Sequence, residues 1–282
     1  MKKFALLLLN LIVITQIWAQ ENTEAFQVKV TGEGAPVILI PGFTVPGEIW
    51  DPLVSELEKQ YECHVVTLAG FGGVKPLEFP WLPKINNALE KYLQTKDLKN
   101  VTVIGHSLGG TIATWLASRE GARLSRIILV DALPAAGALM FPDYSPEKLS
   151  YDSLYNTQQL NMSEADFEQM AGFMTPGMSL NPEGRGRIKS WILEADRKTY
   201  VYGYTDYLKL DMREDLKKID IPVIILAADH PFGREAVEQT YRNQYANLPA
   251  YELIIAENAA HFLMLDQPEW FSEQIHRALS SH

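Results

Sequence analysis

Two residues of this chain, Ser107 and His261, sit in surroundings suited to chemistry. Ser107 stands in Gly105-His106-Ser107-Leu108-Gly109, and Gly110 follows. An apolar strand pattern stops just before it and an apolar helical pattern starts just after it. A serine on such a sharp strand-to-helix turn projects its hydroxyl above the sheet edge. The flanking glycines are needed because a side chain there would collide with the strand or the helix. The helix that begins past Ser107 adds its dipole, which favours negative charge at that point. The alternative is a Gly-Ser turn with no chemistry, and the strand and helix on either side speak against it. His261 follows the run Tyr251 to Ala256 by a short loop and precedes the last helical pattern, which places it as a candidate base. His64 in a strand, His276 on the last helix and His282 at the terminus have no such setting. His106 lies inside the turn and reads as its support.

Other chemistries find little in the sequence. The stretch Asn181 to Arg187 lacks the Gly-Lys-Ser/Thr of a phosphate loop. No Cys/His cluster has metal-ligand spacing, so neither a metal nor a cofactor is expected. Cys63 is the one cysteine, which rules out an intramolecular disulfide; it opens a strand pattern and reads as a buried structural thiol. A net charge of −10 argues against a nucleic-acid binder, because neutralising phosphates takes Lys and Arg. With 282 residues, 47% hydrophobic and 21% charged, the chain can build a core that needs no disulfide or metal.

The elements that must hold Ser107 and His261 alternate between short apolar runs and helical patterns. Strands are expected at Phe26 to Val30, Pro36 to Ile40, 63–68, Val101 to Ile104, Arg126 to Asp131, Pro222 to Ala227 and Tyr251 to Ala256. Helices are expected over Ile49 to Gln60, Leu82 to Thr95, Leu108 to Ser118, Arg234 to Tyr245 and Pro268 to Leu279. Several of the strands are continuously apolar, as in a mostly parallel sheet covered by helices on both faces. Strands separated by helices imply βαβ units with right-handed crossovers. The rhythm breaks over 134–220, where Pro142, Pro146, Pro176 and Pro182 fall among helical pieces such as Ser163 to Gly172. The expected organisation is a core of 20–133 and 221–282, with 134–220 as a helical cap between two sheet strands. Such an insertion lies over the carboxyl ends of the strands, where open α/β sheets place their ligands.

In order and at these distances, four segments resemble the α/β-hydrolase family across essentially the whole length after residue 19. Besides the serine turn, Pro41-Gly42-Phe43 sits where that family has His-Gly before an oxyanion-hole residue. Leu68-Ala69-Gly70-Phe71-Gly72 resembles an Asp-x-x-Gly-x-Gly turn, with Leu68 in place of Asp. Ala260-His261-Phe262 and Asp266-Gln267-Pro268-Glu269 resemble its C-terminal segment. The resemblance implies acyl transfer with Ser107 as nucleophile, His261 as general base, and the backbone N–H groups of Leu108 and Phe43 as oxyanion donors. For the acid it implies Asp229, in Ala227-Ala228-Asp229-His230-Pro231, which keeps the family order Ser107…Asp229…His261. The glycine customary before that acid is absent, and Asp131, at the end of the preceding strand, is a rival. A serine at the nucleophile position disfavours dehalogenase and epoxide-hydrolase chemistry.

For the substrate, the expectation is a small molecule bearing an ester or related acyl group, with a small to medium apolar acyl part. Met140, Met162, Met170, Met174 and Met178 lie in the insertion with Phe141, Phe167, Phe173 and Trp191. These side chains either line an adaptable apolar pocket or pack the insertion's own helices. The same machinery hydrolyses amides or C–C bonds or transfers acyl groups, and a non-catalytic binding protein on this fold is a further alternative. Finally, Lys2 and Lys3, the apolar stretch Phe4 to Thr15 and a small residue at Ala19 have the layout of a signal peptide over 1–19, implying a secreted or periplasmic protein. Its removal takes away two lysines and no acids, leaving a charge of −12. A membrane anchor is the alternative; the run is shorter than the roughly 20 residues of a span and holds Asn10 and Gln16.

Overall fold

The computed structural model describes residues 19–141 and 143–280. The signal-peptide expectation therefore falls almost wholly outside the described residues, as do Pro142 and the last two positions. In chain order the elements before the serine turn are β1 (Ala19–Asn22), β2 (Phe26–Thr31), β3 (Ala35–Ile40), α1 (Asp51–Leu57), β4 (Tyr61–Leu68), α2 (Trp81–Thr95) and β5 (Val101–His106). They continue through α3 (Leu108–Glu120), β6 (Leu124–Val130), α4 (Ala136–Met140), α5 (Leu154–Asn161), α6 (Glu164–Met174), α7 (Pro182–Glu194) and α8 (Tyr204–Lys209). The last are β7 (Val223–Ala228), α9 (Arg234–Gln244), β8 (Glu252–Ala256), α10 (Leu263–Asp266) and α11 (Pro268–Ser280).

The strands form one eight-stranded sheet in the order β1-β2-β4-β3-β5-β6-β7-β8. From β4 to β8 every neighbouring pair is parallel, and β1 and β2 close one edge in antiparallel pairing. This is the mostly parallel, helix-flanked architecture expected of an α/β-hydrolase fold. The continuous apolar runs are explained by the core, which lies on both faces. Val37, Leu39, Ile104, Ile128, Val130, Ile224 and Leu226 join one buried cluster, which takes in α1 and α11. Their neighbours Ile38, Ile40, Val103, Ile127, Leu129 and Ile225 join the other, which takes in α2, α3 and α9. Each such side chain contributes about 1.5–3 kcal/mol on burial. Alternate residues thus face opposite layers, and the central strand β5 buries only two polar side chains, Thr102 and His106.

β3 pairs with β4 on one side and β5 on the other, so the chain reverses its direction of growth between β3 and β5. Open α/β sheets bind ligands at such a switch point. The loop after β3 carries Phe43, and the turn after β5 carries Ser107. The helix expected over Ile49 to Gln60 is shorter than its apolar pattern. It opens as a 3-10 turn (Gly47–Trp50) and becomes α-helical only with Pro52 in the first turn of α1, where a missing N–H is harmless.

Between β6 and β7 run α4 to α8, and a π-helical turn (Thr199–Gly203) leads directly into α8. Polar anchors bind this stretch to the sheet domain. The buried carboxylate of Asp206 accepts the Trp81 and Leu82 amides at 2.6 and 3.1 Å, capping the start of α2 from 124 residues away. Trp191 Nε1 donates to Glu48 at 3.0 Å, and Asp196 N donates to the Gly70 carbonyl at 2.9 Å. Met162, Met170 and Met178 pack against the apolar cluster with Phe167 and Trp191. Met140 and Met174 instead lie at the surface, beside Tyr204 and Tyr200.

Candidate active site

Ser107 is the residue between β5 and α3, and its backbone has φ 52° and ψ −120°. A non-glycine residue held there stores on the order of 1–3 kcal/mol. Its amide donates to the Val130 carbonyl at 2.9 Å, and its carbonyl accepts Gly110 N and Thr111 N at 2.9 and 3.1 Å. The tightness of the turn explains the glycines around it. A Cβ on Gly109 would sit 2.2 Å from the Ile40 carbonyl oxygen, so α3 starts directly against the end of β3. A Cβ on Gly42 would lie 3.3 Å from Ser107 Cβ and 2.7 Å from His106 Nδ1, so the loop bearing Phe43 abuts the serine. Leu108 is the first residue of α3, where backbone amides have no partner within the helix. Leu108 follows Ser107 directly, and Phe43 follows the glycine that abuts it. The Phe43 ring is held among Phe71, Trp81, Tyr200 and Tyr204, with centroids 4.9 to 6.1 Å away.

His261 lies in the loop between β8 and α10. His106 Nε2 donates to the His261 carbonyl at 2.9 Å, and the two rings are 4.7 Å apart. That bond fixes the proton of His106 on Nε2. Burial and the nearby charge of His261 push the His106 pKa down to about 3, so its ring is neutral. The residue beside Ser107 is therefore a strut that carries His261 to the turn. Further bonds hold the same loop to the insertion. Phe262 N donates to the Met178 carbonyl at 2.9 Å. The Asp266 carboxylate accepts Ala260 N at 2.8 Å together with the amides of Leu180 and Asn181.

The carboxylate at His261 is Asp131, not Asp229. His261 Nδ1 donates to Asp131 Oδ2 at 2.7 Å, and Oδ1 accepts Ala228 N at 3.0 Å and the Tyr241 hydroxyl at 2.9 Å. Burial works to raise the Asp131 pKa, but the bond and charge of His261, with the Ala228 and Tyr241 donors, outweigh it and leave the pKa lowered. Asp131 is thus ionised, and as an acceptor it fixes a proton on His261 Nδ1. The expectation for Asp229 fails for a local reason. The turn 229–233 closes through Gly233 N on the Asp229 carbonyl at 2.6 Å, and the Asp229 carboxylate meets the Ala259 amide at 3.3 Å. It shapes the loop that bears His261 from behind. Asp131 sits at φ 44°, one strand nearer to β5, and that left-handed backbone turns its side chain toward the histidine.

The insertion supplies one more group. Tyr207 on α8 is buried, and its phenol is turned to the hydroxyls of Ser107 and Thr111. Burial raises its pKa, so it stays protonated. Neither Tyr207 nor Tyr241 could be singled out from sequence, because each lies within an ordinary amphipathic stretch. Among the described residues, no group of three or more His, Cys, Asp or Glu side chains is arranged to hold a metal ion.

Comparisons with known proteins give the family. Residues 37–274 match the model of the "Alpha/beta hydrolase family". The chain is 26% identical over 255 residues to the non-heme chloroperoxidase CPO-A1 of Kitasatospora aureofaciens, covering 86% of this chain and 90% of that protein. It is 25% identical over 257 residues to a pimeloyl-[acyl-carrier protein] methyl ester esterase of Vibrio vulnificus, covering 88% and 95%. Among solved structures, the enol-lactonase from Burkholderia xenovorans LB400 superposes with a TM-score of 0.76 at 16% identity, covering 91% of this chain and 96% of that one. With the fold, the serine turn and these relatives taken together, the chain is an enzyme that belongs to the alpha/beta hydrolase family.

Proposed function

We propose that this enzyme hydrolyses carboxylic esters of small to medium apolar acyl groups through an acyl-enzyme, with Ser107 as nucleophile, His261 as base and Asp131 as acid. The observation that carries this reading is the 2.7 Å bond from His261 Nδ1 to Asp131, beside a serine held in strained backbone above the sheet. With Nδ1–H committed to the carboxylate, Nε2 takes the Ser107 proton as Oγ attacks the ester carbonyl. The Phe43 and Leu108 amides receive the charge that develops on the carbonyl oxygen. His261 then delivers the proton to the departing alkoxide. Water repeats the sequence on the acyl-enzyme, releasing the acid.

The apolar preference is supported by what gathers at the Phe43 ring, next to the turn of Ser107. Phe43 packs against Tyr200 and Tyr204, and the Met140 and Met174 sulfurs lie 3.4 and 3.9 Å from the hydroxyls of Tyr204 and Tyr200. These contacts offer a bound group aromatic faces and polarisable sulfur rather than charge. Relatives named as methyl ester esterases support the ester bond. A panel of nitrophenyl esters from acetate to palmitate tests the reading. Turnover is expected to peak at the shorter chains and to vanish in Ser107→Ala together with fluorophosphonate labelling. Unchanged turnover in Ser107→Ala, or none on any ester, rejects it. Labelling without ester turnover points to amide or C–C bond hydrolysis or acyl transfer, and no labelling points to a binding protein. The first 19 residues complete the proposal as a cleaved signal that delivers the enzyme, free of a membrane anchor, outside the cytoplasm. The N-terminal sequence of the processed protein tests that part, and retention of Met1 rejects it.

A further inference from the structure

α9 and the residue that caps it turn one face under the chain that leaves β6, and three side chains there bind that segment. The Tyr241 hydroxyl donates to Asp131 Oδ1 at 2.9 Å. The Tyr245 hydroxyl donates to the Ala132 carbonyl at 2.8 Å, and Gln244 Nε2 donates to the Ala135 carbonyl at 3.2 Å. Tyr241 and Tyr245 are buried and stacked, with ring centroids 6.0 Å apart and planes 6° from parallel. The pair is therefore a rigid support, one phenol meeting the carboxylate and the next the backbone beside it.

Asp131 needs such support. It sits at φ 44°, a conformation that costs free energy for any residue with a Cβ, and it follows the end of a strand. Its amide is held by the Leu226 carbonyl at 2.7 Å, which fixes the backbone but not the side chain. Ala228 N and Tyr241 occupy Oδ1 and leave Oδ2 alone to receive His261. We infer that Tyr241 is a positioning residue of the catalytic acid, fixing the carboxylate of Asp131 in the one rotamer that presents Oδ2 to His261 Nδ1. This inference rests on reading Ser107, His261 and Asp131 as the triad.

The groups that face Asp131 are His261 from the loop after β8, Ala228 N at the end of β7, Tyr241 from α9 and Tyr245 at its cap, Tyr207 from α8 and His106 from β5. Of the side chains among them, only His261 and Tyr241 are bonded to its oxygens. In Tyr241→Phe the carboxylate loses a donor and concentrates its charge toward the imidazole. The imidazolium is then favoured to a higher pH, and the carboxylate is freer to turn away.

The test is steady-state kinetics on a nitrophenyl ester for Tyr241→Phe, Tyr245→Phe, Asp131→Asn and the double variant Tyr241→Phe/Asp131→Asn. Tyr241→Phe is expected to lower kcat about tenfold, the scale of one hydrogen bond to a charged group, with little change in KM. The acidic limb of its kcat/KM profile is expected to move to higher pH. In the Asp131→Asn background the same substitution is expected to add almost nothing, since the two act as a unit. Tyr245→Phe removes a hydroxyl from the same stack and is expected to leave the limb in place. A limb that stays or moves down in Tyr241→Phe overturns the inference, as does an effect that adds fully to Asp131→Asn or is matched by Tyr245→Phe. Retained turnover in Ser107→Ala overturns the triad reading and this inference with it. Failure of Tyr241→Phe alone, in an enzyme that requires Ser107 and Asp131, leaves the triad standing.

Discussion

At the scale of single residues, the question is which carboxylate serves His261. Asp131 and Asp229 end neighbouring strands, and both lie close in the chain to what a histidine after β8 can reach. The difference is orientation: Asp131 meets the imidazole at 2.7 Å, while Asp229 meets the amide of Ala259. Asp131→Asn leaves an amide that favours the wrong tautomer of His261, and a loss in kcat on the order of 10⁴ is expected. Asp229→Asn keeps an oxygen that can accept Ala259 N, so its kcat should stay within a few-fold of the wild type. Parallel kinetics on the two variants decide the matter, and equal losses would return Asp229 to the site. The lowered pKa of Asp131 also has a stability consequence. The contribution of its ionised form is complete above the ordinary carboxyl value and disappears as the pH falls through the lower folded value. The stability gap between wild type and Asp131→Asn should accordingly close in strong acid, as urea titrations at a series of pH values can measure.

Among the elements, α8 and the π-helical turn before it carry Tyr200, Tyr204 and Tyr207 toward the site, and Asp206 is what fixes them. Its carboxylate caps α2 through Trp81 and Leu82 and also accepts the Tyr151 hydroxyl. A negative group at the start of α2 interacts favourably with that helix's dipole as well. Asp206→Ala removes all of these contacts. Loss of the cap alone costs about 1–2 kcal/mol, and α8 loses its anchor to the sheet domain. Thermal unfolding should show the stability loss, and ester kinetics should show a raised KM at unchanged label reactivity of Ser107. An unaltered KM would mean that α8 is held by its apolar contacts alone.

For the molecule as a whole, the buried His106 couples folding to pH. Its folded pKa, about 3, lies below the ordinary imidazole value near 6.5, so between these two the unfolded chain binds a proton that the folded one does not. Stability therefore falls as pH decreases through that window, by as much as about 1.4 kcal/mol per pH unit from this group. His106→Gln can keep a donor to the His261 carbonyl while abolishing the titration, and should flatten the pH dependence of unfolding between those values. Denaturant midpoints measured across the window check this, and an unchanged slope would assign the acid sensitivity to other groups. The global architecture tolerates such a buried imidazole because one strong bond, at 2.9 Å, satisfies its N–H where the two loops meet.

Much of this was legible in the sequence. Continuously apolar strands can only be buried on both faces, so the parallel sheet followed from Pro36 to Ile40 and Pro222 to Ala227 without coordinates. Gly105, Gly109 and Gly110 around Ser107 marked a turn too tight for side chains, which local sterics alone require. What the tertiary structure decided was which distant groups meet. Asp131 rather than Asp229, Tyr241 beneath it, Tyr207 by Ser107 and Asp206 on α2 are encounters across 100 to 130 residues of chain. Sequence patterns register the periodicity of burial, not the orientation of one carboxylate. Ser107 and His261 stood out because their signals are local, whereas the acid is chosen by a single backbone angle at the end of β6 and by the donors that the fold brings to it.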